Sequence, residues 1–147
     1  MSTIYERSAF IAADLEKVFA FCNSWAGFRK LFPYEVKWEN GPEDWRIGDQ
    51  IAFRFRYGGL WLPYAAQIVA LEPCRFFVDE MVRGPYQFFR HAHYFFAEAD
   101  GTLLIDRIEF RTGFGRLVDR SFGRWMLNST FKQRHARLKA ALEPRQK

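Results

Sequence analysis

The chain has 147 residues and a net charge of +5; it is long enough for one domain with a sizeable core, residues 1–147, and too short for two. It has no run of about 18 apolar residues and no signal-peptide pattern at its start, so we expect a cytoplasmic protein without a membrane span. Aromatic side chains make up 19% of the residues, more than the packing of so small a core needs. This excess predicts a cavity lined by aromatic rings.

The first part of the chain predicts one strand followed by two helices. A strand is predicted at Tyr5–Ile11, and Asp14 can cap a helix whose apolar positions follow helical spacing as far as Cys22. A second short helix is predicted from Trp25 to about Phe32. It ends there because the residue before Pro33 is pushed out of the helical region.

Strands and turns fill the middle of the chain. Gly58-Gly59 forms a two-residue turn, which fixes the pairing of the strands on either side of it. The strand that precedes Gly84 has no fixed register, so either Asp79 or Glu80 points inward. The inward pairs across the turn are Phe53 with Tyr64 and Phe55 with Leu62. The four predicted strands are Glu35–Trp38, Gln50–Tyr57, Leu60–Leu71 and Arg75–Val82.

The most informative segment is a hairpin between residues 88 and 110. Alternate residues of a strand share a face, so His91 and His93 point to the same side. With a turn at Glu98–Gly101, His93 lies opposite Asp106, and a histidine–carboxylate pair is set into an apolar face. The other inward pairs are Phe95 with Leu104, His91 with Ile108, and Phe89 with Phe110. The outward pairs are Arg90 with Glu109 and Ala92 with Arg107.

An amphipathic helix is predicted from about Leu117 to Leu142. Its N-terminal half is apolar over a wide arc, as expected where a helix spans the mouth of a cavity. Residues 111–147 contain seven Arg and three Lys against two acidic residues. Such a helix suits anionic lipid headgroups or RNA phosphates, although a solvated basic face is the simpler interpretation. The apolar stripe of the helix is Leu127, Phe131, His135, Leu138 and Leu142.

Four segments carry a family resemblance: Phe77–Tyr86, the strand Phe89-x-His91-x-His93-x-Phe95, the run Asp100-Gly101-Thr102-x-Leu104-x-Asp106, and Phe131-x-x-Arg134-His135-x-x-Leu138. With the order of elements, they resemble the SRPBCC superfamily, specifically its bacterial ligand-binding or cyclase-like branch. The resemblance implies an α+β helix-grip fold, a curved antiparallel sheet of about seven strands (β-α-α-β6-α) wrapped around a long C-terminal helix with an internal cavity. It implies no single reaction.

The pair His93 and Asp106 is the candidate catalytic pair, because a carboxylate fixes the imidazole tautomer and raises its basicity. The same pair also suits a buried polar contact that fixes strand register. His91 and His93 with an inward carboxylate have the composition of an iron site. Alternate strand residues lie about 6.5 to 7 Å apart, however, which strains shared ligation, so we predict no metal. Binding of a hydrophobic ligand needs no cofactor, and we predict none. We interpret His135 as a residue of the cavity wall.

The sequence favours a carrier or sensor for a hydrophobic small molecule, such as a lipid, an isoprenoid or an aromatic polyketide. One alternative is a polyketide cyclase or dehydratase, with His93 as general base and Asp106 orienting it. A second is an interaction module whose basic C-terminal helix contacts a membrane or RNA; we expect at most a transient membrane contact and no nucleic acid. The ligand and the oligomeric state stay open. The predicted ligand-binding residues are Phe53, Phe55, Tyr64, Phe89, His91, His93, Phe95, Asp106, Ile108, Phe110, Trp125, Phe131 and His135.

Overall fold

One curved sheet of seven antiparallel strands forms the body of the protein in the computed structural model, which describes residues 1–145. Residues 146–147, the end of the predicted domain and of its basic segment, lie outside the described residues. The strands are β1 (Thr3–Ile11), β2 (Val36–Asn40), β3 (Gln50–Tyr57), β4 (Leu60–Glu72), β5 (Phe76–Arg83), β6 (Phe88–Glu98) and β7 (Gly101–Arg111). They follow the order β1-β7-β6-β5-β4-β3-β2.

The helices lie between β1 and β2 and after β7. Ser24 caps the second helix, because its Oγ accepts a hydrogen bond from the backbone N–H of Gly27 at 3.1 Å. Asp14 stands at the N-cap of the first helix, but its side chain makes no capping hydrogen bond. The helices are α1 (Leu15–Cys22), α2 (Trp25–Leu31), α3 (Arg116–Val118) and α4 (Arg124–Leu142). A π-helical turn, Asp119–Gly123, joins α3 to α4 into one terminal helix.

The predicted registers of two hairpins are confirmed. Across the β6–β7 hairpin, His93 pairs with Asp106 and His91 with Ile108. Across the β3–β4 hairpin, Phe53 pairs with Tyr64 as the two-residue turn requires. In both hairpins the turn fixes the register, and the register decides which side chains face the terminal helix.

Two apolar clusters hold the sheet to the helices. The larger cluster packs α1 and α2 against one part of the sheet and includes Phe77 and Ile68, both fully buried. The smaller one packs α4 on β6 and β7 and includes Ile108, Phe110 and Phe131. Among the described residues, no helix is long and apolar enough to cross a bilayer.

Candidate functional site

The concave face of the sheet and the terminal helix enclose a cavity of about 300 Å³. The cavity wall is mostly aromatic and aliphatic. Helix α2 contributes Phe28 and Phe32, which lie one helical turn apart and therefore share a face. The structure thus contains the hollow interior that the aromatic composition predicts. Seven of the predicted ligand-binding residues line it: Phe53, Phe55, Tyr64, Phe89, His91, His93 and Phe131.

Six other predicted site residues do not line the cavity. Trp125 was placed in the wall wrongly: its side chain is 65% exposed on the outer side of the terminal helix. It precedes the buried Leu127 by two positions, a rotation of about 200° around the helix, so the two residues face opposite ways. The remaining five, Phe95, Asp106, Ile108, Phe110 and His135, are buried behind the wall.

Several lining residues were missed from the sequence. Trp45 lies in the long connection between β2 and β3, where no periodicity indicates the direction of a side chain. Arg134 lies over the rings of Phe28 and Phe131, at 5.6 and 5.0 Å from their centroids, and brings a positive charge to the wall. The sequence contains a signal for this position: Arg134 follows Phe131 by three residues and therefore lies on the same side of the helix. Other missed residues include Tyr34, Asp79, Tyr86 and Thr130.

All three histidines of the chain surround one buried carboxylate, Asp106, whose side chain is 4% exposed. Nε2 of His91 lies 2.7 Å from Oδ1 of Asp106, and Nε2 of His135 lies 2.6 Å from its Oδ2. Nδ1 of His93 lies 3.3 Å from Oδ1. Asp106 therefore connects the sheet to the terminal helix, and His135, which the sequence places in the cavity wall, lies behind that wall and holds Asp106.

A second carboxylate, Asp79 on β5, holds His93 from the other side. Oδ2 of Asp79 lies 2.9 Å from Nε2 of His93, so Asp79 is the residue that points inward. Its neighbour Glu80 points outward and accepts a hydrogen bond from Arg90 at 2.9 Å. His93 is therefore bridged between two carboxylates, whereas the sequence paired it with Asp106 alone.

The two strand histidines form part of a ring stack. The centroids of His91 and His93 lie 3.6 Å apart, and Phe77 covers the other face of His93 at 3.9 Å. Phe131 from the terminal helix meets His91 edge-on at 5.1 Å. Because His93 lies between two stacked rings and His91 is held by one stacked and one edge-on ring, the hydrogen-bonding directions of their nitrogens are restricted.

The pKa shifts assign charges within this cluster. Burial alone would raise the pKa of Asp106, but hydrogen bonds from His135, His91 and His93 outweigh it and hold that pKa well below its usual value. Burial also opposes ionisation of Asp79, yet the hydrogen bond with His93 leaves its pKa lowered. Burial disfavours the charged form of His93, but hydrogen bonds to both carboxylates raise its pKa. His93 is thus the cationic member between two anions.

His91 is the neutral member with a free nitrogen. Burial, together with the charge of His93, lowers the pKa of His91 to about 4. An ionised carboxylate only accepts hydrogen bonds, so Nε2–H of His91 donates to Asp106 and the lone pair remains on Nδ1. The side-chain hydrogen bond of His91 runs through Nε2, Nδ1 makes none with the described residues, and His91 lines the cavity. The cavity wall therefore presents an unused hydrogen-bond acceptor.

Comparison with known proteins supplies structural likeness only. No protein-family model matches the chain, and no curated protein matches it. A solved structure of protein CV1439 from Chromobacterium violaceum is 14% identical, with a TM-score of 0.80 over 97% of this chain and 98% of that one. Ara h 8.0201 is 12% identical, with a TM-score of 0.72 over 96% and 97% of the two chains.

The di-domain ARO/CYC StfQ from the steffimycin biosynthetic pathway is 15% identical, with a TM-score of 0.79. The alignment covers 97% of this chain and 51% of StfQ, so this chain spans about half the length of that protein. The chain has the helix-grip fold. At these identities the likeness shows the helix-grip fold alone, and the side chains of this chain must carry any argument about function.

The polar end of this helix-grip cavity does not have the geometry of a metal centre. Asp79, His91 and His93 each offer a ligand atom within 4.8 Å of the others. Metal ligation at about 2.1 Å requires the imidazole lone pairs to converge on one point. The two rings are stacked with an interplanar angle of only 27°, so their nitrogens point side by side, and both nitrogens of His93 already face carboxylates. The arrangement suits a hydrogen-bonded charge network.

Proposed function

We propose that the protein binds a hydrophobic small molecule in the cavity, as a carrier or sensor, and that a hydrogen-bond donor of this ligand contacts Nδ1 of His91. The supporting observation is an apolar cavity lined by His91, whose side-chain hydrogen bond with the described residues uses Nε2 and leaves Nδ1 unbonded. Apolar burial at about 25 cal/mol per Å² drives such binding, and a small number of polar groups select the orientation.

The volume and the free acceptor define the ligand class. An engineered protein cavity of about 150 Å³ holds one benzene ring. A cavity of about 300 Å³ therefore has room for two fused rings or an aliphatic molecule of similar size. A ligand hydroxyl that donates to Nδ1 of His91 satisfies the acceptor without displacing Asp106 from Nε2. We therefore expect a bicyclic or similar apolar molecule with a hydroxyl group.

A matched ligand pair tests this assignment. 2-Naphthol and naphthalene differ only in a hydroxyl group, so the ratio of their dissociation constants measures its contribution. We expect 2-naphthol to bind roughly five- to tenfold more tightly, the effect of one net hydrogen bond. His91→Gln keeps a donor to Asp106 but replaces the ring nitrogen Nδ1 with an amide oxygen that does not occupy the same position, so this variant should bind both compounds with similar affinity.

His135→Gln is the control. It replaces another imidazole that contacts Asp106, but one that does not line the cavity. It should keep the preference for 2-naphthol. A preference that survives in His91→Gln contradicts the role of His91, and failure of the unaltered protein to bind either compound contradicts the cavity proposal. Native mass spectrometry of the purified protein identifies any ligand that co-purifies.

A second candidate function is catalysis of a cyclisation or dehydration, which the dyad of Asp106 and His91 favours. The free Nδ1 of His91 can accept a proton, with Asp106 orienting the ring. His93 is the weaker candidate for the base, because both its nitrogens face carboxylates. Burial raises the pKa of Tyr64 well above its usual value, so its hydroxyl stays protonated and can donate to an enolate oxygen.

Hydrogen exchange of a bicyclic ketone tests this candidate without a known substrate. In D₂O, an α-proton of 2-tetralone passes to Nδ1 of His91, and a deuteron from solvent returns to the carbon. If the protein is a catalyst of this type, exchange measured by NMR should exceed background, and His91→Gln should lower the rate by about 100-fold. His135→Gln should retain the rate. Exchange at background rate in the unaltered protein contradicts the enzymatic candidate and leaves the carrier proposal intact.

A further inference from the structure

Large apolar side chains are exposed in one short segment next to the cavity. Phe114, Leu117, Phe122 and Trp125 are 80%, 82%, 52% and 65% exposed. They lie within 12 positions of one another at the start of the terminal helix, and we call these four residues the rim. Exposed apolar groups clustered in this way mark contact sites more often than scattered ones do.

Two of the four rim residues stand at the opening of the cavity. Phe114 and Phe122 line the cavity as well as being exposed, so the same side chains face the interior and the solvent. Tyr57, at the tip of the β3–β4 hairpin, also lines the cavity and is partly exposed, and its cross-strand partner Leu60 is 68% exposed. A surface that covers the rim therefore also covers the route into the cavity.

The charge around the rim is positive. Arg116, Arg120 and Arg124 alternate with the rim residues and are exposed. Asp119, the acidic residue of this segment, is buried and accepts hydrogen bonds from the backbone and side chain of Thr112. The three guanidinium groups form no ion pair among the described residues, although Arg124 donates to the carbonyl of Ile4.

Apolar side chains surrounded by cations fit the surface of an anionic bilayer. Each Arg near such a surface strengthens binding by about fivefold, and aromatic and aliphatic side chains enter the headgroup region. A nucleic acid would use the cations and could stack on the aromatic rings, but it offers nothing to an aliphatic side chain such as Leu117. The combination therefore favours lipid over nucleic acid.

We propose that the rim docks the mouth of the cavity on an anionic lipid bilayer, so that a hydrophobic ligand passes between bilayer and cavity without crossing water. Leu117 and Trp125 enter the headgroup region, and Arg116 and Arg120 contact lipid phosphates. This docking extends the proposed carrier function, but it rests on the outer surface of the terminal helix and requires no bound ligand.

Co-sedimentation with vesicles tests the docking. Vesicles of equal parts phosphatidylcholine and phosphatidylserine are compared with vesicles of phosphatidylcholine alone, at low and high salt. The unaltered protein should sediment with the mixed vesicles, and high salt should weaken its binding. The double substitution Leu117→Ser with Trp125→Ser should weaken it by about tenfold or more, since neither side chain is needed for the cavity wall. Arg116→Glu with Arg120→Glu should have a comparable effect on mixed vesicles only.

Two matched controls separate docking from general loss of apolar surface or charge. Phe10→Ser with Phe96→Ser removes rings that are 41% and 49% exposed and that flank Leu103 on the outer face of the sheet, far from the mouth. Lys17→Glu reverses an exposed charge on α1. Both controls should sediment as the unaltered protein does.

Three results overturn the proposal. The first is absence of binding to mixed vesicles. The second is equal binding of the rim and control variants, or loss of binding in the Arg variant alone, which indicates a purely electrostatic polyanion site such as one for RNA. The third is a dimer in solution that dissociates on Leu117→Ser with Trp125→Ser, because a second copy then covers the rim. Binding of 2-naphthol in free solution should be unchanged in this variant, so a failure of docking is distinguishable from a failure of the cavity.

Discussion

The inner end of the cavity buries charged side chains, whereas its mouth exposes apolar ones. At the inner end, Asp79 and Asp106 are enclosed by rings, and their hydrogen bonds come from histidines. At the mouth, apolar side chains such as Leu117 face water beside cations without ion-pair partners among the described residues. Buried charges are costly unless paired, and exposed apolar clusters are costly unless covered. The charges of the inner end are therefore paired within the chain, whereas the apolar side chains of the mouth are left exposed.

Of the changes proposed at these two regions, removal of the Asp106 side chain should cause the largest loss in the free energy of unfolding. Asp106→Ala leaves the cation of His93 with one carboxylate and deprives His91 and His135 of their acceptor. Breaking a buried charge network in this way costs about 3–5 kcal/mol. Urea unfolding should show this loss in the free energy of unfolding. Asp100→Ala, in the exposed β6–β7 turn, is the control and should change it by less than about 0.5 kcal/mol. Similar values for both variants contradict the network.

Stability should depend on pH through the inner end, with a maximum near pH 6.5. The folded-state pKa of His91 is about 4, below the ordinary 6.5, so the unfolded chain binds more protons between these values and stability falls as pH decreases from 6.5 towards 4. The loss is of order 3 kcal/mol. The raised pKa of His93 acts in the opposite sense: its contribution is complete below pH 6.5 and is lost as pH rises through the folded-state pKa.

Below pH 4 a further loss follows, because Asp106 and Asp79 have lowered pKa values and their contributions disappear as pH falls through them. Unfolding by urea at a series of pH values measures the whole profile. His91→Gln should remove most of the slope between pH 6.5 and 4 while leaving the decrease at higher pH. A variant that keeps the full acidic slope shows that another group carries it.

The two regions also differ in how far the sequence predicts them. The pairing of His93 with Asp106 was predictable because a short turn fixes the register of a hairpin. The inward direction of Asp79 was not, because the connection from β5 to β6 fixes no register. The contact of His135 with Asp106 depends on how closely α4 approaches the sheet, which periodicity does not contain. The prediction for Trp125 was wrong because the start of the terminal helix is apolar over a wide arc, and such an arc does not indicate which side of the helix is buried.

A loss of stability of intermediate size is expected from a substitution at the contact between the terminal helix and the sheet, near the mouth. A Cβ added at Gly123, in the π-helical turn, would lie 2.7 Å from the ring of Phe110, which is fully buried. Gly123→Ala should therefore destabilise the protein by about 1–3 kcal/mol, the usual cost of overpacking. Thermal or urea unfolding measures it. Adding Phe110→Leu makes space for the methyl group, so the double variant should lose less than the sum of the two single losses. Strict additivity contradicts the steric explanation.

The smallest effect on stability is expected at the rim. Trp125 and Leu117 bury little surface, so the double substitution to Ser should change the free energy of unfolding by less than about 0.5 kcal/mol. Phe131→Ala, at a site 2% exposed on the same terminal helix, should cost about 3–5 kcal/mol. Urea unfolding without lipid compares the two. A large loss in the rim variant means that these side chains support the fold, and their exposure then gives no reason to expect a partner. A negligible loss leaves a large apolar surface that the folded chain does not use, which is the condition for contact with a bilayer.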